Sequence, residues 1–125
     1  MRALLILALM TTPAMAQMNP VKNPCAGAGG GDICAAAKGT ADALAKSLPR
    51  EIAPGIRVMG ASQGGPQVQL DLMVAADLRL PDGDGFARLA CGEPPLSALI
   101  MRGGQVAYLL NGKTLATITS CEEVN

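Results

Sequence analysis

Four cysteines, Cys25, Cys34, Cys91 and Cys121, constrain this chain more than any other feature. Their number is even and they follow an export signal, which directs every thiol to an oxidising compartment where disulfides form and persist. Three connectivities are open, of which Cys25–Cys34 with Cys91–Cys121 is favoured. The first pair brackets Ala26 to Ile33, a glycine-rich stretch that lets a short loop close without strain. The second would tie a helical region to the last strand. Each closure contributes about 2.5–4 kcal/mol in the chain-entropy model, a large share of what holds a small domain together. Zinc would want close Cys-x-x-Cys pairs or histidines, and the sequence has no histidine. A thioredoxin-like role would want Cys-x-x-Cys at a helix start, which is also missing.

The export signal occupies residues 1–16. Met1 and Arg2 are a short positive start, Ala3 to Met10 an unbroken apolar run, and Thr11-Thr12-Pro13 a break before Ala14-Met15-Ala16. Small residues at 14 and 16 predict cleavage between Ala16 and Gln17. A membrane span needs about 20 apolar residues, more than twice this run, and no later segment is long or apolar enough. The expectation is a soluble mature protein, periplasmic or secreted, with no stable membrane insertion after cleavage. Of the 125 residues, 109 remain without these 16, enough for one compact domain. Residues 17–31 read as a flexible Gly/Pro-rich leader and residues 32–125 as a single small α+β domain.

Without Arg2 the chain carries nine Lys/Arg against ten Asp/Glu, with no run of one sign. Concentrated positive charge is what nucleic-acid binding rests on, so a nucleic-acid partner is excluded, as is an anionic membrane surface. Phe86 and Tyr108 are the sole aromatic residues. Stacking platforms for sugars or bases are nearly absent.

The element pattern begins with Asp32 as an N-cap. Ile33, Ala37, Ala41, Leu44 and Leu48 then recur at helical spacing, with Lys38, Asp42 and Lys46 on the other face. Pro49 predicts an end near Ser47 or Leu48. Gly39 costs this helix about 1 kcal/mol relative to alanine, which suggests close packing at that point. Ala53-Pro54-Gly55 is a turn, Ile56 to Ser62 a strand, and Gln63 to Pro66 a hairpin connection. Val68, Leu70, Leu72 and Val74 alternate with Gln67, Gln69, Asp71 and Met73, the clearest strand signal in the chain. The alternation continues weakly through Ala76, Leu78 and Leu80, so the strand could extend to Pro81. Phe86 to Cys91 reads as a short helical turn and Pro94 or Pro95 as the start of a second helix. Asn111-Gly112 joins Gln105–Leu110 to Lys113–Ser120 as a hairpin. A two-residue turn would pair Tyr108 with Leu115, and a bulged turn would set it opposite Thr114. That choice decides whether Leu109 or Leu110 faces the core.

The order helix, two strands, helix, two strands predicts an α+β two-layer sandwich: a four-stranded antiparallel sheet with two helices on one face, braced by disulfides.

Sequence motifs assign no catalytic, cofactor or metal site. Gly27 to Gly31 before a helix lacks the buried strand that a phosphate-cradling loop follows. Asp82-Gly83-Asp84-Gly85 lacks the further acids and the bidentate glutamate of a calcium loop and reads as a plain loop. Without histidine the usual general base is missing, and Lys46 beside Ser47 points in a different direction on a helix. The mature-chain methionines, Met18, Met59, Met73 and Met101, read as core fillers, with Met73 as a possible addition to a surface patch.

A stapled scaffold without a catalytic set points to a non-enzymatic interaction or accessory module whose partner is another envelope protein. The surfaces expected to serve are a free sheet edge and a patch formed by Met73, Tyr108 and Leu109. The alternative is an inhibitor or immunity protein against an envelope hydrolase, with Asp82 to Gly85 protruding into an active site. The third reading is an enzyme whose site the sequence does not reveal.

Overall fold

Asp32 opens the first helix: its Oδ1 accepts the Ala35 N–H at 3.1 Å, one of the donors that a helix start leaves unpaired. The computed structural model describes Cys25, Ala26 and residues 31–121. The export signal and most of the leader lie outside the described residues. Helix α1, Ile33–Ala45, buries Ile33, Ala37, Ala41 and Leu44 along one stripe. On its far side Lys38 and Asp42 form an exposed ion pair at 3.1 Å. The Cys25–Cys34 disulfide and the hydrogen bond from Ile33 N–H to the Cys25 carbonyl, at 2.7 Å, hold the preceding segment to the helix start.

After α1 come β1, Arg50–Ala53, β2, Ile56–Gly64, and β3, Gln67–Val74. Two short helices follow, α2, Gly83–Cys91, and α3, Pro94–Met101, then β4, Gln105–Leu110, and β5, Lys113–Ile118. The five strands form one sheet in sequence order.

The α+β class matches the expectation, but the sheet and helix layer differ from it. The sheet has five strands, because Arg50–Ala53 pairs with β2 across the Pro54-Gly55 turn. It is mixed, because β3 and β4 run parallel. A tight turn reverses a chain, whereas a connection carrying helices returns it in its original direction, and here α2 and α3 make that return. The helices number three among the described residues. Asp82 caps α2 by accepting the Gly85 N–H at 2.9 Å, so Asp82 to Gly85 is a helix start and not a protruding loop. Nor does β3 run on to Pro81: it ends at Val74, where the Ala75 N–H bonds the Gly55 carbonyl at 2.9 Å.

Register distributes the side chains between the two faces. Cross-strand neighbours share a face, so Ala61, Leu70, Tyr108 and Ala116 form one row, and Gln63, Val68, Val106 and Ile118 another. These rows meet the helices, and Val68, Leu70, Val106, Tyr108 and Ile118 are buried there with Ile33, Phe86, Leu96 and Ile100. The opposite face is largely polar, and Gln69, Gln67 and Gln105 are hydrogen-bonded in a ladder across it. Gly39 contradicts the expectation of close packing: a Cβ there would meet nothing within 4 Å.

The second disulfide, Cys91–Cys121, joins the end of α2 to the residues after β5. Among the described residues no helix is long and apolar enough to cross a membrane.

Candidate interaction surface

The β4–β5 hairpin decides what the expected surface patch contains. Asn111 and Gly112 take φ of 53° and 80°, the left-handed pair of a type I′ turn, and Leu110 pairs with Lys113. A bulge then follows between Tyr108 and Leu109, so Tyr108 stands opposite Ala116, a third register beside the two that the sequence allows. Tyr108 belongs to the helix-covered face, 1 % exposed. Its ring lies 4.9 Å from that of Phe86, tilted by 30°. The expectation that Tyr108 contributes to an interaction surface is therefore wrong. Leu70 on the parallel neighbour β3 and Phe86 on α2 enclose it.

Met73 and Leu109 do share the opposite face. Leu109 is half-buried beside Asp71, and Met73, two residues further along β3, is 54 % exposed. Met73 lines a groove of about 440 Å³ at the end of β3 and β4, whose side chains are mostly apolar, Met59, Leu72, Leu78, Leu80 and Leu110 among them. Met59 sits at the bulge between Val58 and Gly60 and is 42 % exposed. The segment after β3 supplies the far wall. It is held in place by the Ala75–Gly55 hydrogen bond, by one from Leu78 N–H to the Ala75 carbonyl at 3.0 Å, and by packing of Leu78 against Gly55. Among the described residues the exposed large hydrophobic side chains are Met59, Met73 and Met101, so Met59 and Met101 are not the core fillers expected from the sequence, whereas Met73 was expected at a surface patch. Long, flexible thioether side chains adapt to partners of varied shape. Met59 was missed as a surface residue because an apolar side chain in sequence reads as core, and a bulge leaves no signature in composition. Leu78 and Leu80, read as a weak continuation of β3, instead pack partly buried against the core as the groove's wall.

Met101, 75 % exposed, lines a different groove of about 540 Å³ beside the Cys91–Cys121 disulfide. Ser97, Thr119 and Ser120 stand among its walls with Ile100.

Titratable groups gather in one further place. Arg50 on β1 forms an ion pair with Glu93, between α2 and α3. Both line a cavity of about 190 Å³ with Leu89 and Tyr108. Burial, above all, pushes the Tyr108 phenol well above its ordinary ionisation range; Glu93 adds to that and Arg50 opposes it. The pair ties the edge strand β1 to the helix layer, a structural duty. Elsewhere the Ser47 hydroxyl donates to the Leu44 carbonyl at 3.0 Å, which occupies it at the end of α1. Cys25, Asp32 and Cys34 stand within 4.8 Å of one another. The sulfurs are joined as a disulfide and offer no thiolate to a metal, and the Asp32 carboxylate caps α1.

No protein-family model and no curated protein matches the sequence. Solved structures do match the fold. Pilotins of the type II secretion system are similar: AspS from Vibrio cholerae, at 17 % identity and a TM-score of 0.55, and EpsS from Vibrio vulnificus, at 16 % and 0.55. Each match covers 74 % of this chain and 92 % of the pilotin. A Pseudomonas aeruginosa protein thought to be secreted is similar at 18 % identity and a TM-score of 0.53, over 69 % of this chain and 86 % of that one. At such identities the likeness is one of fold.

Proposed function

We propose that this chain is an exported, non-enzymatic accessory module of the cell envelope, periplasmic or secreted, that docks an apolar segment of another envelope protein in the Met59–Met73 groove. The observation that carries the reading is the pair of exposed methionines on a groove whose other side chains are mostly apolar. Leaving such side chains in water forgoes burial worth about 1.5–3 kcal/mol each, and contiguous exposed apolar surface marks interaction sites. The export signal read from residues 1–16 and the fold likeness to pilotins both favour an envelope setting.

The inhibitor reading loses its main support. It needs Asp82 to Gly85 as a probing loop, and these residues open α2.

A photo-crosslinking residue at position 73, tested in native envelopes against one at the exposed Lys38, decides the matter. One envelope protein captured from 73 and not from 38, and lost in Met59→Lys, supports the docking site. Equal capture from both positions, or none from 73, removes it.

A further inference from the structure

The two edges of the sheet are built differently. Strand β1 has four residues, two of them charged, a bulge between Glu51 and Ala53, and prolines on both sides. These are devices by which natural sheets block pairing with another chain. Strand β5 has no strand beyond it among the described residues, and from Thr114 to Ser120 the edge carries neither charge nor proline. Its bulge lies near the hairpin end, which leaves Ala116 to Ile118 in regular register with β4. The two-residue turn makes Leu110–Lys113 a hydrogen-bonded pair, so Leu109–Thr114 is not one. Counted on past the bulge, Tyr108–Ala116 is hydrogen-bonded and Ala107–Thr117 is not, which turns the Thr117 N–H and C=O outward. Beside this edge runs a groove of about 400 Å³, walled by Gly83 and Ala87 of α2 and by residues 115–120. Small side chains there leave room for another element to approach.

We propose that β5 pairs antiparallel with β5 of a second copy of this chain, with Thr117 on the two-fold axis, to give a continuous ten-stranded sheet. Charge favours a second copy as the occupant. With Thr117 opposite itself, Thr114 to Ser120 faces its own copy, and no like charges meet. Lys113 comes opposite position 121 of the other copy, which Glu122 and Glu123 follow in the sequence. The same axis stands perpendicular to the sheet, so both α2 helices lie on one face and run antiparallel. Asp84 and Arg88, one helical turn apart and both exposed, follow in sequence the Gly83 and Ala87 that line the groove, so the antiparallel helices offer charges of opposite sign to one another. An isologous contact requires this kind of self-complementarity.

Sedimentation of the disulfide-intact protein over a dilution series tests the pairing. A reversible monomer–dimer equilibrium is expected. Thr117→Lys places like charges directly opposite each other and weakens the dimer by roughly tenfold or more, and Thr117→Glu does the same. Mixing the two variants restores a dimer, an outcome that loss of folding in either could not produce. Glu51→Lys, on the other edge, leaves association unchanged. A protein that stays monomeric at every concentration overturns the proposal. So does a dimer that survives Thr117→Lys, or one that Glu51→Lys abolishes. A stable monomer that instead captures an unrelated extended peptide at β5 overturns it in favour of a different occupant.

Discussion

Leu78 packs against Gly55 so closely that a Cβ at position 55 would stand 3.2 Å from Leu78 Cδ2 and 3.4 Å from the Ala75 Cβ. Gly55 also holds φ at +81°, a conformation that costs an L-residue about 1–2 kcal/mol. Gly55→Ala is therefore expected to destabilise the fold by about that amount and to displace the wall of the Met59–Met73 groove. Urea unfolding reads the first effect, and loss of crosslinking from position 73 reads the second. An alanine variant as stable as the parent would mean that the turn relaxes freely and does not position the groove.

Gly39 presents the opposite case. It lies mid-helix in α1, exposed, with open space where a Cβ would go. Gly39→Ala should stabilise the protein by about 1 kcal/mol, through helix propensity and a less flexible unfolded chain. Thermal and denaturant midpoints should both rise. A fall in either would place something against that face of α1 in the native protein.

Tyr108 links burial to pH. Its phenol ionises above the ordinary value of 10.0 in the folded protein, because burial penalises the phenolate. A raised folded-state value means that the unfolded chain releases this proton first. The corresponding stability is fully present below pH 10 and is lost as pH rises from there towards the folded-state value. The slope approaches about 1.4 kcal/mol per pH unit for one proton. Tyr108 is the sole tyrosine, so tyrosinate absorbance reports it alone. Absorbance should appear together with unfolding, and Tyr108→Phe should flatten the alkaline loss of stability. Titration near pH 10 with the near-ultraviolet signal of native packing intact would contradict the buried placement.

Removing Cys91–Cys121 should cost more than removing Cys25–Cys34. The sequence separations are 30 and 9, a difference of about 1 kcal/mol in the loop-entropy model. Position in the fold widens the gap. Cys91 and Cys121 both pack against the core and close the helix layer onto the end of β5. Cys34 starts a helix that already has an N-cap and a buried stripe. Denaturant unfolding of the paired Cys→Ser variants, after peptide mapping, measures the contrast. A larger loss from the Cys25–Cys34 variant would make the segment around Cys25 part of the core.

What could be read from the sequence alone was what depends on near neighbours along the chain. The Asp32 cap, the Ile33–Ala37–Ala41–Leu44 stripe, the alternation from Val68 to Val74 and the Asn111-Gly112 turn each encode a local backbone geometry or a burial period within one element. The tertiary structure alone decided which elements met. Arg50–Ala53 is too short and too charged to read as a strand, and becomes one because β2 folds back on it across Pro54-Gly55. β3 and β4 run parallel because two helices intervene, and their lengths and packing, not the pattern within either strand, set that direction. Pairing with Leu70 put Tyr108 on the helix-covered side, and a single bulge in β5 decided that Ala116 and not Leu115 stands beside it, since a shift of one residue exchanges the two faces of a strand. The Met59–Met73 groove follows from the same cause: hydrophobicity marks a side chain as one that gains from burial, but only the arrangement of its neighbours determines whether anything in the chain covers it.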